Sequence, residues 1–153
     1  MLFIIENNRY GMGTAVNRSA AGKDLYERAT VFGIEGEKIN GMDFFEVSQA
    51  AIRAREHIYE NSSPYVIEMD TYRYRGHSMS DPAKYRTRSE VDTVRQQKDC
   101  IENLKEVLQE QKVTDQELKN IDGEIKLLVT NASDFALESK LPDDNELLTD
   151  IYL

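Results

Sequence analysis

The sequence predicts an α/β fold in which a mostly parallel sheet with flanking helices is followed by a helical C-terminal region. A continuous apolar run at residues 2–5 is typical of a parallel strand that is buried on both faces. An amphipathic helix is predicted over residues 43–60, and another strand over residues 65–72. Strands that alternate with helices in this way are the repeating unit of α/β sheets.

The remaining elements of the first part follow from apolar spacing and from turn residues. A short helix is predicted over residues 24–31 and a weak strand over residues 37–40. Helix 43–60 has an apolar face whose members are separated by three or four residues and are predicted to pack on the sheet. That face comprises Phe44, Val47, Ala51, Ala54 and Ile58.

The pattern changes after the last predicted strand. Residues 73–88 lack apolar periodicity and are predicted to form a loop. Helices are predicted over residues 89–97 and 101–111, and a last short element over residues 146–152.

Two helices have start signals of the capping-box type. Asp43 is followed three residues later by Glu46, and Thr114 by Glu117. The helix that begins at Thr114 has a long apolar stripe, which is predicted to face a core. The stripe comprises Leu118, Ile121, Ile125, Leu128, Ala132 and Phe135.

The charge of the chain is concentrated in its second part. The chain has 28 acidic and 19 basic residues and a net charge of −9. Residues 98–153 hold 14 of the acidic residues and 6 of the basic ones, whereas residues 1–97 are almost neutral. We therefore predict a functional part at 1–97 and a helical region at 98–153. The acidic balance argues against a nucleic-acid partner.

Composition excludes further classes of protein. No apolar run approaches the roughly 18–20 residues that span a bilayer, so no membrane partner is expected. Cys100 is the only cysteine, which rules out an internal disulfide and favours a reducing compartment. One cysteine and two histidines are too few for an ordinary structural zinc site.

The chemistry is predicted at the carboxyl ends of the strands, where open α/β sheets bind ligands. The first candidate stretch, residues 6–14, reads ENNRYGMGT. Amide and backbone oxygens around Asn7 and Asn8 suit Mg²⁺ or Ca²⁺, and the two glycines would let a phosphate approach the backbone. The alternative is a polar turn in which asparagine tolerates left-handed geometry. A P-loop is excluded because the Gly-Lys-Ser/Thr sequence is missing.

The second candidate stretch begins at residue 73 and reads RYRGHSMSDP. Arg73 and Arg75 would project to one side of an extended chain, and paired arginines match phosphate or carboxylate geometry. His77 suits proton transfer or a hydrogen bond to an anion. Residues 73–95 hold six basic and three acidic residues, and the basic ones include Arg86 and Arg88. A solvated basic loop that forms surface ion pairs is the alternative.

Nucleophilic catalysis of the protease type is disfavoured. No acidic residue lies beside His77 to complete a triad, and Cys100 lies in a charged helical context. The other histidine, His57, is interpreted as a cation near the C-terminal end of helix 43–60.

Together these stretches resemble the alpha subunit of the pyruvate dehydrogenase first component, a thiamine-diphosphate-dependent enzyme. The resemblance runs over nearly the whole chain and rests on four segments, namely ENNRYGMGT at 6–14, NGMD at 40–43, TYRYRGHSMSDP at 71–82 and YRTR at 85–88. It implies a partial thiamine-diphosphate-binding fold. Residues 1–97 would be the C-terminal half of that domain, with an active-site loop at 73–90.

The resemblance also implies roles for single residues. Asn8 matches a Mg²⁺ ligand, and Tyr10 matches a residue whose backbone carbonyl binds the same ion and so holds the cofactor. His77 matches the histidine that contacts the diphosphate and assists catalysis. Ser78 matches the main inhibitory phosphorylation serine of the mitochondrial relatives. A loop that faces the lipoyl domain would carry Arg73, Arg75, Arg86 and Arg88.

The reaction implied is oxidative decarboxylation of pyruvate, followed by acetyl transfer to the lipoyl group of dihydrolipoyl acetyltransferase and formation of acetyl-CoA within the multienzyme complex. The implied partners are a beta subunit, in a heterotetramer of two alpha and two beta chains, and the lipoyl domain. The implied location is the bacterial cytoplasm or the mitochondrial matrix.

The larger departure of the sequence from the family lies in the cofactor motif. The family's cofactor motif begins with Gly-Asp-Gly and ends with Asn-Asn, and only the second part is present here. The chain therefore resembles the C-terminal portion of an alpha subunit, and we expect it to be inactive alone. Alternatives are an acetoin or branched-chain 2-oxo acid dehydrogenase alpha subunit and a non-catalytic remnant or assembly module. A phosphate- or RNA-binding module would rest only on the basic loop.

Overall fold

A computed structural model describes residues 1–22 and 24–151 of the chain. The chain divides into two compact units, Met1–Glu106 and Val107–Leu153. The sheet and both candidate stretches lie in the first unit. The domain boundary expected near residue 98 stays a prediction.

The strands lie in the first unit, and helices occur in both units. The strands of the described residues are β1 (Leu2–Asn7), β2 (Tyr10–Gly11), β3 (Thr14–Ala15), β4 (Glu35–Asn40) and β5 (Tyr65–Asp70). The helices are α1 (Val16–Ser19), α2 (Glu27–Thr30), α3 (Phe44–Asn61), α4 (Arg88–Gln97), α5 (Cys100–Glu110), α6 (Asp115–Glu138) and a 3₁₀ helix at Asp144–Leu148. The last element was expected at 146–152, of which Tyr152 lies outside the described residues.

The main sheet is parallel, in the order β1-β5-β4. The strands are in register, so that Asp70 at the end of β5 lies beside Asn7 on one side and Asn40 on the other. The predicted fold class, α/β with a mostly parallel sheet and flanking helices, is confirmed. The aligned carboxyl ends place the candidate stretches after β1 and β5 at the same edge of the sheet.

The core lies between α3 and the sheet. Its buried members are Ile39, Ala50, Ala54 and Ile67, with Val47, Tyr65 and Met69 packed against them. The predicted apolar face is wrong at two positions, because Ala51 is exposed and Phe44 is 54% exposed. The helix turns Ala50 to the sheet instead, and its small side chain allows a close approach.

Strand β1 is less buried than the sequence predicts. Leu2, Phe3 and Ile4 are 38–56% exposed. The prediction of burial on both faces is wrong for the described chain, because β1 is an edge strand that pairs with β5 on one side.

One of the two predicted capping boxes is complete. Thr114 Oγ1 accepts a hydrogen bond from the Glu117 N–H at 3.3 Å, and the Glu117 carboxylate accepts from the Thr114 N–H at 2.8 Å. Asp43 also caps its helix, by accepting from the Glu46 N–H at 3.0 Å. The Glu46 carboxylate accepts from the Asn40 N–H at 2.9 Å instead of closing the box, so it holds the end of β4.

Helix α6 of the second unit exposes most of its apolar stripe. Leu118 is buried, but Ile121, Ile125, Leu128 and Phe135 are 52–75% exposed. The prediction that this stripe faces a core is therefore wrong for the described chain. Among the described residues, no helix combines the length and the apolar character that crossing a bilayer requires.

Candidate functional site

The turn after β1 is built by two consecutive asparagines. Asn7 Oδ1 accepts a hydrogen bond from the Arg9 N–H at 3.0 Å, and Asn8 Oδ1 accepts from the Tyr10 N–H at 3.3 Å. These overlapping Asx turns allow Arg9 to adopt a left-handed φ of 68°. The local geometry is the polar turn of the alternative interpretation, and its half-buried Asn8 and Tyr10 have oxygen atoms of the kind that suits a hard cation.

The short hairpin of β2 and β3 follows this turn and contacts the loop after β5. Arg73 Nη2 donates to the Met12 carbonyl at 2.8 Å. Gly13 lies against the Tyr85 side chain, where a Cβ atom would come within 3.2 Å of a ring carbon. The two stretches singled out in the sequence therefore meet in the structure.

Arg73 is the centre of the loop after β5. Its guanidinium donates to the Tyr85 hydroxyl at 2.9 Å and lies 3.4 Å from His77 Nδ1. Its Nε is buried and has no hydrogen-bond partner among the described residues. One half-buried cation thus connects the hairpin, the loop and the predicted catalytic histidine.

Asp81 fixes the backbone on either side of His77. Its carboxylate accepts from the His77 N–H and the Ala83 N–H, both at 2.8 Å, and from the Tyr85 hydroxyl at 2.7 Å. The His77 N–H, followed by the other two donors, lowers the pKa of Asp81 to about 2. These hydrogen bonds stabilise the ionised carboxylate of Asp81. They are therefore complete at neutral pH and are lost only as the pH falls toward 2. Gly76 is required, since a Cβ atom there would lie 2.4 Å from the Asp81 carbonyl oxygen.

Arg86 lies inside the loop. It is 8% exposed, and its guanidinium donates to the Arg73 carbonyl and, at 2.8 Å, to the Arg75 carbonyl. It also lies 5.1–5.7 Å from the centres of the Tyr10, Tyr72 and Tyr85 rings. The expectation that Arg86 faces a partner does not fit its burial, because both terminal nitrogens of its guanidinium donate to carbonyls of the loop itself.

The other predicted arginines differ in exposure. Arg75 and Arg88 are exposed, and Arg73 is half-buried. Ser78 is also exposed, and its hydroxyl lies 3.1 Å from that of Ser80. These side chains are available at the surface of the described chain.

A carboxylate that the sequence patterns did not reveal lies beneath the site. Glu68 on β5 is fully buried and accepts a hydrogen bond from the Asn7 amide at 2.7 Å. The available signal was an acid within the apolar strand sequence YVIEMD, since buried acids are retained only when they are paired. Lys38 lies 3.9 Å from Glu68, and its hydrogen bond to Asp24 raises the pKa of the lysine.

Two cavities open at this edge of the sheet. The first, of about 750 Å³, lies at the ends of β4 and β5 and is lined in part by Asn40, Asp70 and Thr71. The second, of about 360 Å³, is lined in part by Asn7 and Tyr10. Asn8 and His77 line neither of them. Among the described residues there is no group of three or more His, Cys, Asp or Glu side chains that could hold a metal.

The parallel sheet and the two joined stretches define an α/β protein with a candidate ligand site at the strand ends. The chain belongs to the dehydrogenase E1 component family, whose sequence profile matches residues 1–144. The resemblance stated from the motifs is confirmed.

Several relatives that it matches are named as alpha subunits. The chain is 45% identical over 153 residues to the pyruvate dehydrogenase E1 component subunit alpha of Rickettsia bellii (strain RML369-C), covering 100% of this chain and 47% of the relative. It is 47% identical over 154 residues to the subunit of that name in Rhizobium meliloti (strain 1021), covering 100% and 44%. The mitochondrial subunit alpha of Dictyostelium discoideum is 44% identical over 155 residues, covering 100% and 41%. The chain thus spans about half the length of the curated relatives it matches.

Proposed function

We propose that this chain forms part of the alpha subunit of a thiamine-diphosphate-dependent pyruvate dehydrogenase. The complete enzyme would decarboxylate pyruvate oxidatively and transfer the acetyl group to the lipoyl group of dihydrolipoyl acetyltransferase, which leads to acetyl-CoA. The observation that carries the proposal is the contact of Arg73 with the Met12 carbonyl, which joins the asparagine turn to the histidine loop. Family membership and the names of the relatives support it.

The donor set fits one half of a site for Mg²⁺ and a diphosphate. The Asn8 amide oxygen and the Tyr10 carbonyl are neutral oxygen donors, which Mg²⁺ accepts, and the diphosphate and the rest of the enzyme would complete its octahedron. The half-buried guanidinium of Arg73 contributes a positive charge beside His77, which would favour an anionic ligand nearby. When bound, thiamine diphosphate supplies the nucleophile and the electron sink for decarboxylation.

The residues of this chain would bind and orient. His77, held by Arg73 and Asp81, would hydrogen-bond the diphosphate and assist the transfer step. The exposed Arg75 and Arg88 would meet the lipoyl domain, while Arg86 holds the loop from within. We propose residues 1–97 as half of the cofactor-binding domain and residues 98–153 as the helical region.

Partners follow from the proposed role and from the exposed apolar surface. We propose that the chain, within an alpha subunit, pairs with a beta subunit in an assembly of two alpha and two beta chains. The open edge of β1 and the apolar stripe of α6 are surfaces that further protein would cover. The bacterial cytoplasm or the mitochondrial matrix is the proposed location. Ser78, an exposed hydroxyl in the loop, is the proposed regulatory phosphorylation site.

Substrate preference separates this proposal from its nearest rivals. An acetoin or branched-chain 2-oxo acid dehydrogenase alpha subunit would share the fold and the cofactor. For this test the chain is joined to the remainder of an alpha subunit and paired with a beta subunit. We call this assembly the complete enzyme. We expect turnover of pyruvate to exceed that of acetoin and of branched-chain 2-oxo acids, and preference for one of the others would reassign the substrate.

Cofactor binding separates the proposal from a non-catalytic role. In isothermal titration with thiamine diphosphate and Mg²⁺, we expect the isolated chain to bind only weakly, with a Kd on the order of 1 mM or higher. The reason is that Asn8 and Tyr10 offer only part of the coordination sphere. The complete enzyme should recover binding by at least about a hundredfold, or about 2.7 kcal/mol.

Both arms of this titration are informative. Tight binding by the isolated chain would contradict the expectation that half of the site is missing. Absence of binding by the complete enzyme would contradict the proposed function and favour an assembly module. Titration with Ca²⁺ and no diphosphate controls for cation binding that does not involve the cofactor.

A further inference from the structure

Glu68 is a buried charge that the proposed function does not use. It lies on the central strand β5 and is fully buried. Its Oε1 accepts from Asn7 Nδ2 at 2.7 Å, and its Oε2 accepts from the Leu25 N–H at 2.5 Å and the Tyr26 N–H at 3.0 Å. Lys38 Nζ lies 3.9 Å from Oε1. Both oxygens therefore act as hydrogen-bond acceptors.

This arrangement fixes the orientation of the Asn7 side chain. The Asn7 amide can be turned either way, and the Glu68 acceptor selects the orientation in which Nδ2 points to β5. Asn7 Oδ1 then faces the Arg9 N–H and accepts from it at 3.0 Å. If the amide were reversed, an NH₂ group would face the Arg9 N–H and the turn would lose its first hydrogen bond.

The turn so fixed contains the two groups proposed to hold the cation. Asn8 and Tyr10 flank Arg9, whose left-handed φ of 68° depends on the hydrogen bond from its own N–H to Asn7. The Asn7 carbonyl also accepts from the Thr71 N–H at 3.0 Å, so the residue is held at both ends. Glu68 thus orients the Asn7 amide, and the Asn7 amide fixes the backbone between Asn8 and Tyr10.

We infer that Glu68 is a positioning residue for the cation-binding turn, acting through the orientation of the Asn7 amide. Because Glu68 is fully buried and its oxygens accept hydrogen bonds from the chain, it would act without contacting the ion or the diphosphate. The inference rests on the proposed function, and it adds a buried hydrogen-bond pair on which cation affinity depends. Partners of this kind that orient metal ligands typically change metal affinity by about 10–100-fold when they are removed.

The pair can be reversed, which provides a sharp test. In Glu68→Gln, one amide oxygen cannot serve both Asn7 Nδ2 and the N–H groups of Leu25 and Tyr26, so one of these donors meets an NH₂ group. In Asn7→Asp alone, two carboxylates face each other. In the double variant, the introduced glutamine NH₂ donates to the introduced aspartate, and the glutamine oxygen accepts from the two backbone N–H groups, which restores every hydrogen bond.

The experiment measures Mn²⁺, a stand-in for Mg²⁺, bound to the complete enzyme with thiamine diphosphate, using electron paramagnetic resonance. We expect each single variant to weaken Mn²⁺ binding by about tenfold or more and the double variant to recover most of the loss. Glu37→Gln is the matched control, because Glu37 is a carboxylate of β4 that pairs with Arg53 at the surface. It should bind Mn²⁺ like the wild type.

The outcomes are distinguishable. If the wild type binds no Mn²⁺ with the cofactor, the proposed function fails and the inference fails with it. If the wild type binds and Glu68→Gln binds equally well, the inference alone is overturned. If Glu68→Gln does not assemble, the double variant decides, because recovery of assembly and of Mn²⁺ affinity supports the inference and failure of either refutes it.

Discussion

Arg86→Leu should unfold the loop after β5 and lower the stability of the whole chain. The guanidinium is buried, donates to the carbonyls of Arg73 and Arg75, and lies between tyrosine rings. Leucine fills much of the space but leaves both carbonyls without their donors. Because a hydrogen bond to a charged group contributes about 1.5–3 kcal/mol, we expect a loss of about 3–5 kcal/mol.

Urea unfolding of the chain, followed by circular dichroism, would measure this loss. With a denaturant slope of about 2 kcal/mol per molar, the midpoint should fall by about 1.5 M or more. Arg88→Leu is the control, since it removes an exposed arginine two residues away and should change the free energy of unfolding by less than about 0.5 kcal/mol. Equal midpoints for the two variants would show that Arg86 does not brace the loop.

The fold was predictable where local pattern and tertiary packing agree. Alternating strand and helix signals gave the sheet class, and the helix over Phe44–Asn61 was expected within one residue at each end. The apolar pattern did not predict correctly which residue of the helix faces the sheet, because that depends on the neighbouring strand. A period of 3.6 residues allows either Ala50 or Ala51 to face the sheet, and only the position of β5 decides between them.

The location of the candidate site could be predicted from the sequence, but the burial and the hydrogen bonds of its residues could not. Parallel strands bring their carboxyl ends to one edge, so the convergence of the asparagine turn and the histidine loop followed from topology. Composition gave no means of separating the buried Arg86 from the exposed Arg88, since both are arginines of one basic loop. The pairing of Asn7 with Glu68 spans 61 residues and could not be inferred from spacing.

His77→Ala in the complete enzyme should lower acetyl transfer by about 10²–10⁴-fold, the usual contribution of a positioned acid or base. The backbone of His77 is fixed by Asp81, and its Nδ1 faces the Arg73 guanidinium at 3.4 Å. A guanidinium only donates, so Nδ1 is the acceptor in this contact and Nε2–H is left to donate to an anion. Alanine removes that donor while the loop keeps its Asp81 clamp.

Two assays separate the role of His77 from loss of structure. Acetylation of the lipoyl domain would report transfer, and pyruvate-dependent reduction of a dye by the complete enzyme would report the earlier step. His57→Ala is the control, because His57 lies on α3, where it contacts Glu35 and Tyr65 away from the loop. His77→Gln keeps a hydrogen-bond donor but cannot transfer a proton at neutral pH. Recovery of transfer in His77→Gln would therefore assign His77 to binding the diphosphate. A loss of transfer in His77→Gln as large as that in His77→Ala would assign His77 to proton transfer. An unchanged rate of transfer in His77→Ala would remove His77 from the mechanism.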